Sequence, residues 1–245
     1  MTATVRAGVP DVGTDADWRR LYRSGAVSAF AFVALVLVPI GLVFAAPVPP
    51  PEGRALLEYI AAHKVVYLAE LVCFVGLAVP ALIVFAALAV GLRRVEPSLA
   101  LLGGLLGVAS ETIALALGSS PQSLHGGVVL LADDYARTSD PAARQALVGA
   151  ADALAAATNA VTWAGILTAA AILVLSTVFA RAGFGAWLGI LGVVTGALGT
   201  VSEAFRPLIG PAYLLYGLLL PLWFALVGVR LRRLARTAGP DRSRR

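Results

Sequence analysis

Three glutamates stand inside apolar runs of this 245-residue chain, where a charge needs a reason. Two of them close matching stretches, Gly104-x-x-Gly107-x-x-Ser110-Glu111 and Gly196-x-x-Gly199-x-x-Ser202-Glu203. The third, Glu70, follows Tyr67 by three residues. A carboxyl group in such surroundings can exchange a proton, hold a cation or small solute, or act as a general acid or base. On a helix, positions i, i+3 and i+7 share a face. Gly104 and Gly107 therefore lie beneath Glu111, and Gly196 and Gly199 beneath Glu203. Small residues let helix backbones approach closely, so each glycine pair marks a packing face and puts its glutamate on it. A carboxylate facing lipid costs about 2.5–3.5 kcal/mol on insertion scales, which argues that the three glutamates face the bundle interior or a wet cavity; for Glu203, near its helix end, snorkelling to the interface or a local pair with Arg206 is the alternative. Two carboxylates brought close in a low dielectric repel, so a proton, a cation or Arg206 must compensate. Arg206 is three residues beyond Glu203, within helical reach.

The elements that position these groups are apolar helices. The chain is 59% hydrophobic and only 13% charged, against about 25% charged in soluble domains. The expected fold is all-α, a polytopic membrane bundle of six transmembrane helices: Gly25–Ala46, Val65–Leu92, Ser98–Ser119, Thr158–Ala180, Ala186–Ala204 and Leu208–Val229. Each approaches or exceeds the ~20 residues a bilayer requires. The first is too long for a signal-peptide core and is read as a retained helix, closed by Pro47, Pro49, Pro50 and Pro51. Arg54–Ala62 is read as a short interfacial helix. The second span is longer than a bilayer needs, so it is expected to tilt or to kink at Pro80. Residues 1–18 are read as a disordered cytoplasmic tail, 19–236 as the membrane domain and 237–245 as a basic cytoplasmic tail. Residues 120–157 are read as an extracytoplasmic helical loop. Within it, Val128–Arg137 is mildly amphipathic, and Asp140-Pro141 signals a helix start.

Six spans put both termini on one side of the membrane. With the termini inside, fourteen basic residues fall in cytoplasmic segments and five outside, which favours the N-in, C-in arrangement. Counting 1.5 Å per residue then puts Glu70 ~8 Å and Glu111 ~12 Å below the outer boundary, with Glu203 one or two turns from it. Tyr67, Asn159, Thr162, Arg206, Tyr213 and Tyr216 fall in the same layer, whereas the inner half of the spans is nearly free of ionisable groups. The two Ser-Glu stretches are 92 positions apart. Either a helix hairpin has been duplicated in parallel orientation, or a small alphabet has repeated by chance.

Several chemistries lack their motifs. There is no Walker A stretch, no H-E-x-x-H and no G-x-S-x-G. The net charge of +5 is concentrated at the flanks of the apolar runs, so it points to topology and not to nucleic acid. The two histidines, His63 and His125, do not make a histidine-rich zinc site, and no metal site is expected. His125 and the Asp133-Asp134 pair are read as solvated. Cys73, the single cysteine, is read as core packing. No motif implies a cofactor.

The Arg20-Leu21-Tyr22-Arg23-Ser24-Gly25 entry to the first span, Ala69-Glu70 in the second and the long loop before the fourth resemble a family of bacterial six-helix membrane proteins, the DUF4386-like domain of unknown function. The resemblance covers about residues 18–236. It implies a membrane fold and no established activity. The partners expected are the lipid bilayer and a small solute or lipid. Three functions fit: an outward-facing carboxylate site for a proton, cation or solute in transport or sensing; a membrane-embedded enzyme using glutamate acid/base chemistry on a lipid or isoprenoid; and a structural or accessory subunit whose glutamates lock helices.

Overall fold

The computed structural model describes residues 17–42, 44–117, 125–160, 163–209 and 212–237. The expected tails over 1–16 and 238–245 lie outside the described residues, as do 118–124 at the start of the long loop. All regular structure among the described residues is helical: α1 (Arg19–Leu42), α2 (Gly53–Gly76), α3 (Ala78–Leu92), α4 (Pro97–Leu117), α5 (Gly126–Arg137), α6 (Pro141–Ala160), α7 (Trp163–Val178), α8 (Ala186–Ala204), α9 (Arg206–Ile209) and α10 (Tyr213–Thr237).

Among the described residues, five segments are long and apolar enough to cross a membrane: α1, the α2–α3 pair taken together, α4, α8 and α10. The expected fourth span is the shorter apolar helix α7, of 16 residues. The two faces of α8 are the inverse of those of a soluble helix. Its exposed stripe is Trp187, Ile190, Val194 and Val201, while its buried face carries Gly192, Thr195, Gly196, Gly199, Ser202 and Glu203. That inversion suits a lipid surround.

The long second run is broken twice. His63 has non-helical torsions, φ −127° and ψ 36°. This separates the first turns of α2, where an interfacial helix was expected, from the part entering the bundle. The second interruption, at Leu77 between α2 and α3, is one of the hydrogen-bond ladder alone, since Leu77 keeps helical torsions of φ −58° and ψ −32°. Pro80 lacks an N–H and its ring crowds the carbonyl of residue i−4, here Gly76, where α2 ends. At the other end of the chain, α10 does not stop near Val229. It continues through Arg230, Arg232, Arg233 and Arg236, burying Leu231 and Ala235. Arginine is a good helix former, and the antiparallel packing of α1 supplies the partner face: Leu231 approaches Gly25.

The described residues form two cores. The larger lies toward the arginine-bearing ends of the helices. Phe32 stacks on Phe224 with ring centroids 3.8 Å apart, Phe179 stacks on Trp223 at 6.1 Å, and Phe85 flanks Trp223 at 6.4 Å. Trp223 Nε1 donates to Ser176 Oγ at 3.1 Å. Contacts gather the helix ends here: Arg93 donates to Tyr22 Oη, Arg181 lies 3.8 Å from Glu96, and Arg19 Nε donates to the Ala235 carbonyl. The turn from α7 to α8 passes through Gly183 (φ 74°) and Gly185 (φ 99°), a left-handed region open at low cost to glycine.

The second core is a cap made by the first turns of α2 with α5 and α6. Leu57, Ile60, Tyr67, Val128, Ala132 and Ala151 close it. Polar contacts pin its rim. Asp152 Oδ1 accepts from Gly53 N at 2.6 Å, capping α2 from another helix in place of Glu52. Lys64 Nζ lies 2.7 Å from both Asp133 oxygens, so the ammonium holds the Asp133 carboxyl below its ordinary value of 3.8. Asp140 accepts from Ala142 N and Ala143 N at the start of α6, the capping that Asp140-Pro141 predicts. His125 is not simply solvated: it is the N-cap of α5, its Nδ1 accepting from Gly127 N at 2.9 Å.

Candidate functional site

α7 enters the larger core through Ile172 and Leu175 and packs against both α4 and α8. Three of its residues meet the Ser-Glu ends of the two stretches. From α4, Ser110 Oγ hydrogen-bonds the Ala164 carbonyl and lies 2.5 Å from Thr168 Oγ1. Thr168 Oγ1 in turn donates to Glu111 Oε1 at 3.0 Å. From α8, the Glu203 carboxyl lies over Gly165, where any Cβ would overlap it. Gly165 and Thr168 are three residues apart, about 4.5 Å along the helix. Both glutamates are buried, Glu111 at 7% exposure and Glu203 at 3%.

The two carboxylates have different partners. Glu203 Oε1 accepts from Tyr213 Oη at 2.7 Å, and its Oε2 lies 3.4 Å from Arg206 Nη2. Arg206 also donates to Tyr213 Oη at 3.2 Å and sits over the Tyr213 ring, 5.2 Å from its centroid. This places a cation, a phenol and a carboxylate in one closed triangle, with the negative charge matched. Glu111 has no basic side chain against it among the described residues; its one hydrogen bond comes from the neutral Thr168. Two buried polar atoms near Glu203, Ser202 Oγ and Arg206 Nε, have no hydrogen-bond partner among the described residues. Tyr216 is buried on the same side, its ring edge-on to Tyr213 at 5.8 Å and against Gly199.

Each glycine pair faces the preceding helix of its own hairpin. On α4, a Cβ at Gly104 would lie 2.5 Å from Ala89 Cβ, and one at Gly107 would overlap the Phe85 ring of α3. On α8, a Cβ at Gly196 would lie 2.5 Å from Leu173 N and 2.6 Å from the Ala169 oxygen of α7, and Gly199 faces Ala169 and Tyr216. The packing style is shared but the register is not: Phe85 meets Gly107, whereas Phe179 of the second hairpin meets Gly189.

Glu70 does not join the other two glutamates. It is buried at 3% exposure, but shares no hydrogen bond or ion pair with Glu111 or Glu203 among the described residues, and its Oε2 has no partner. Tyr67 belongs to the cap: its Oη accepts from His125 N at 3.0 Å. Asn159 lies in the last turn of α6, and its side chain is outside the described residues. Sequence reasoning missed Thr168 and Gly165. The signal was a hydroxyl and a glycine one turn apart on α7, a spacing that in an apolar helix reads equally as packing. No protein-family model, no curated protein and no solved structure matches the chain, so its chemistry rests on the geometry above.

Proposed function

We propose that the chain is a six-span protein of a bacterial inner membrane, with both termini cytoplasmic, whose carboxylate layer around α7 takes up a proton or a small cation from the outer side for transport or sensing. One observation carries this reading: Glu111 is buried with a neutral hydroxyl partner and no basic side chain among the described residues. A carboxyl group in low dielectric is stable only when its charge is neutralised, so this position favours binding a positive charge. Glu203 differs because Arg206 already balances it. The aromatic core of Phe85, Phe179 and Trp223 separates the carboxylates from the arginine-bearing end. That separation favours a site entered from one side, as in a sensor or an occluded transporter, over an open channel.

The test uses the full chain in lipid nanodiscs. The unfolding midpoint is followed while proton, Na⁺ and K⁺ concentrations are varied separately. At least one of these ions should shift the wild-type midpoint, and Glu111→Gln should flatten that dependence while keeping the helical content. A wild-type midpoint indifferent to all three would sink the proposal. So would an E111Q variant that responds as the wild type does.

A further inference from the structure

At the opposite end from the carboxylates, α1 and α10 form a groove of about 390 Å³ lined by Arg19, Arg23, Arg232 and Arg236, with Val27 and Phe30 continuing its wall. Arg19, Arg23, Val27 and Phe30 recur at helical spacing and so form one stripe of α1, polar at the helix start and apolar below. The apolar part is uncovered, with Val27 63% and Phe30 40% exposed. Arg232 and Arg236 are four residues apart on the facing helix, a like-charge spacing that is unfavourable in isolation. Arg19 Nε is committed to the Ala235 carbonyl at 3.2 Å, which ties the two helices together beside the groove. None of the four arginines forms an ion pair with an acidic side chain among the described residues. Elsewhere the same end does neutralise its charge: Arg181 pairs with Glu96.

We propose that this groove is a binding site for one anionic phospholipid, its phosphate held by the four guanidinium groups and an acyl chain laid along Val27 and Phe30. Guanidinium forks match phosphate oxygens in pairs, and basic pockets between membrane helices are suited to anionic headgroups. A soluble phosphate would satisfy the arginines but leave the apolar stripe without a partner, and the stripe is what commits the site to lipid.

The full chain is purified and the lipids it retains are quantified by native mass spectrometry, with phosphatidylglycerol competing against phosphatidylcholine. Wild type should prefer phosphatidylglycerol. Arg23→Gln with Arg232→Gln should weaken that preference about thirty-fold, from roughly fivefold per arginine near an anionic headgroup. A charge-matched control, Arg20→Gln with Arg181→Gln, removes two arginines of the same end that do not line the groove, and should retain the preference. If the double groove variant fails to fold, Arg23→Gln alone, at about fivefold, decides the matter. Equal loss in both pairs would mean a general field effect and overturn the site. Displacement of the lipid by soluble glycerol phosphate at equal concentration would overturn the commitment to a lipid.

Discussion

The hydroxyl of Thr168 is shared between Ser110 and Glu111, so this side chain decides how one carboxyl is held. Thr168→Val should cost about 1–3 kcal/mol, the usual penalty for orphaning a buried polar group. Thr168→Val with Glu111→Leu should recover much of it, because removing both partners is nearly neutral. Reversible unfolding in mixed micelles measures both. Gly165→Ala pushes a methyl into the Glu203 carboxyl and should cost about 1–3 kcal/mol by overpacking. If contact is the cause, Gly165→Ala and Glu203→Ala together should cost clearly less than their sum. An additive cycle would show that Gly165 matters for some other reason. Glu111, Glu203 and Arg206 were legible in the sequence because a charge in an apolar run is rare and i+3 spacing is local. Depth follows from counting residues. Direction around the helix axis does not, since it is set by packing against neighbours. That is why residue counting puts Glu70 and Tyr67 in one layer with Glu111, whereas among the described residues neither shares a bond with it.

At the scale of elements, close approach is set by α8 against α7. A Cβ at Gly196 meets backbone atoms of Leu173 and Ala169, which cannot swing aside as a side chain can. Gly196→Ala should therefore destabilise by about 3 kcal/mol, the upper end of overpacking costs. Gly217→Ala, where a Cβ meets nothing within 4 Å, should leave the unfolding midpoint unchanged or raise it. The cap offers a pH test. Asp133 is held below its ordinary 3.8 by Lys64, so the folded form binds its proton less readily than the unfolded chain. The pair's contribution is complete above 3.8 and is lost as pH falls through the lowered value. Lys64→Gln should make the cap easier to cleave by limited proteolysis at neutral pH, and the difference from wild type should fade in acid. The gap in the ladder before Pro80 was legible, because proline has no N–H for the carbonyl four residues back, whereas the torsional break at His63 was not. The run of α10 past Val229 was less so: a cluster of arginines reads as a tail until α1 is seen to pack Leu231.

For the whole molecule, sidedness can be read chemically. In a Cys73→Ala background, Arg137→Cys on the cap should react with a membrane-impermeant maleimide in intact cells, and Arg181→Cys should react only after permeabilisation. The reverse pattern would invert the proposed orientation and with it the outer location of the carboxylate layer. The all-helical membrane character was plain in composition alone, whereas the cap's separate core was not, since it depends on Asp152 and Tyr135 meeting distant parts of α2. One further property follows from α7 standing between the two Ser-Glu stretches. Thr168 and Gly165 are rungs of a single rigid helix, one touching Glu111 and the other Glu203. If loading Glu111 moves that helix, the affinity of Glu203 for its Arg206 and Tyr213 partners changes. Under the proposed function, thermodynamic reciprocity then requires that loosening the Glu203 triangle alter ion affinity at Glu111 by the same factor. On the proposed ion-binding reading, Tyr213→Phe, which removes only the hydroxyl shared by Glu203 and Arg206, is expected to change ion affinity at Glu111, and the ratio of affinities measures how stiffly α7 couples the two.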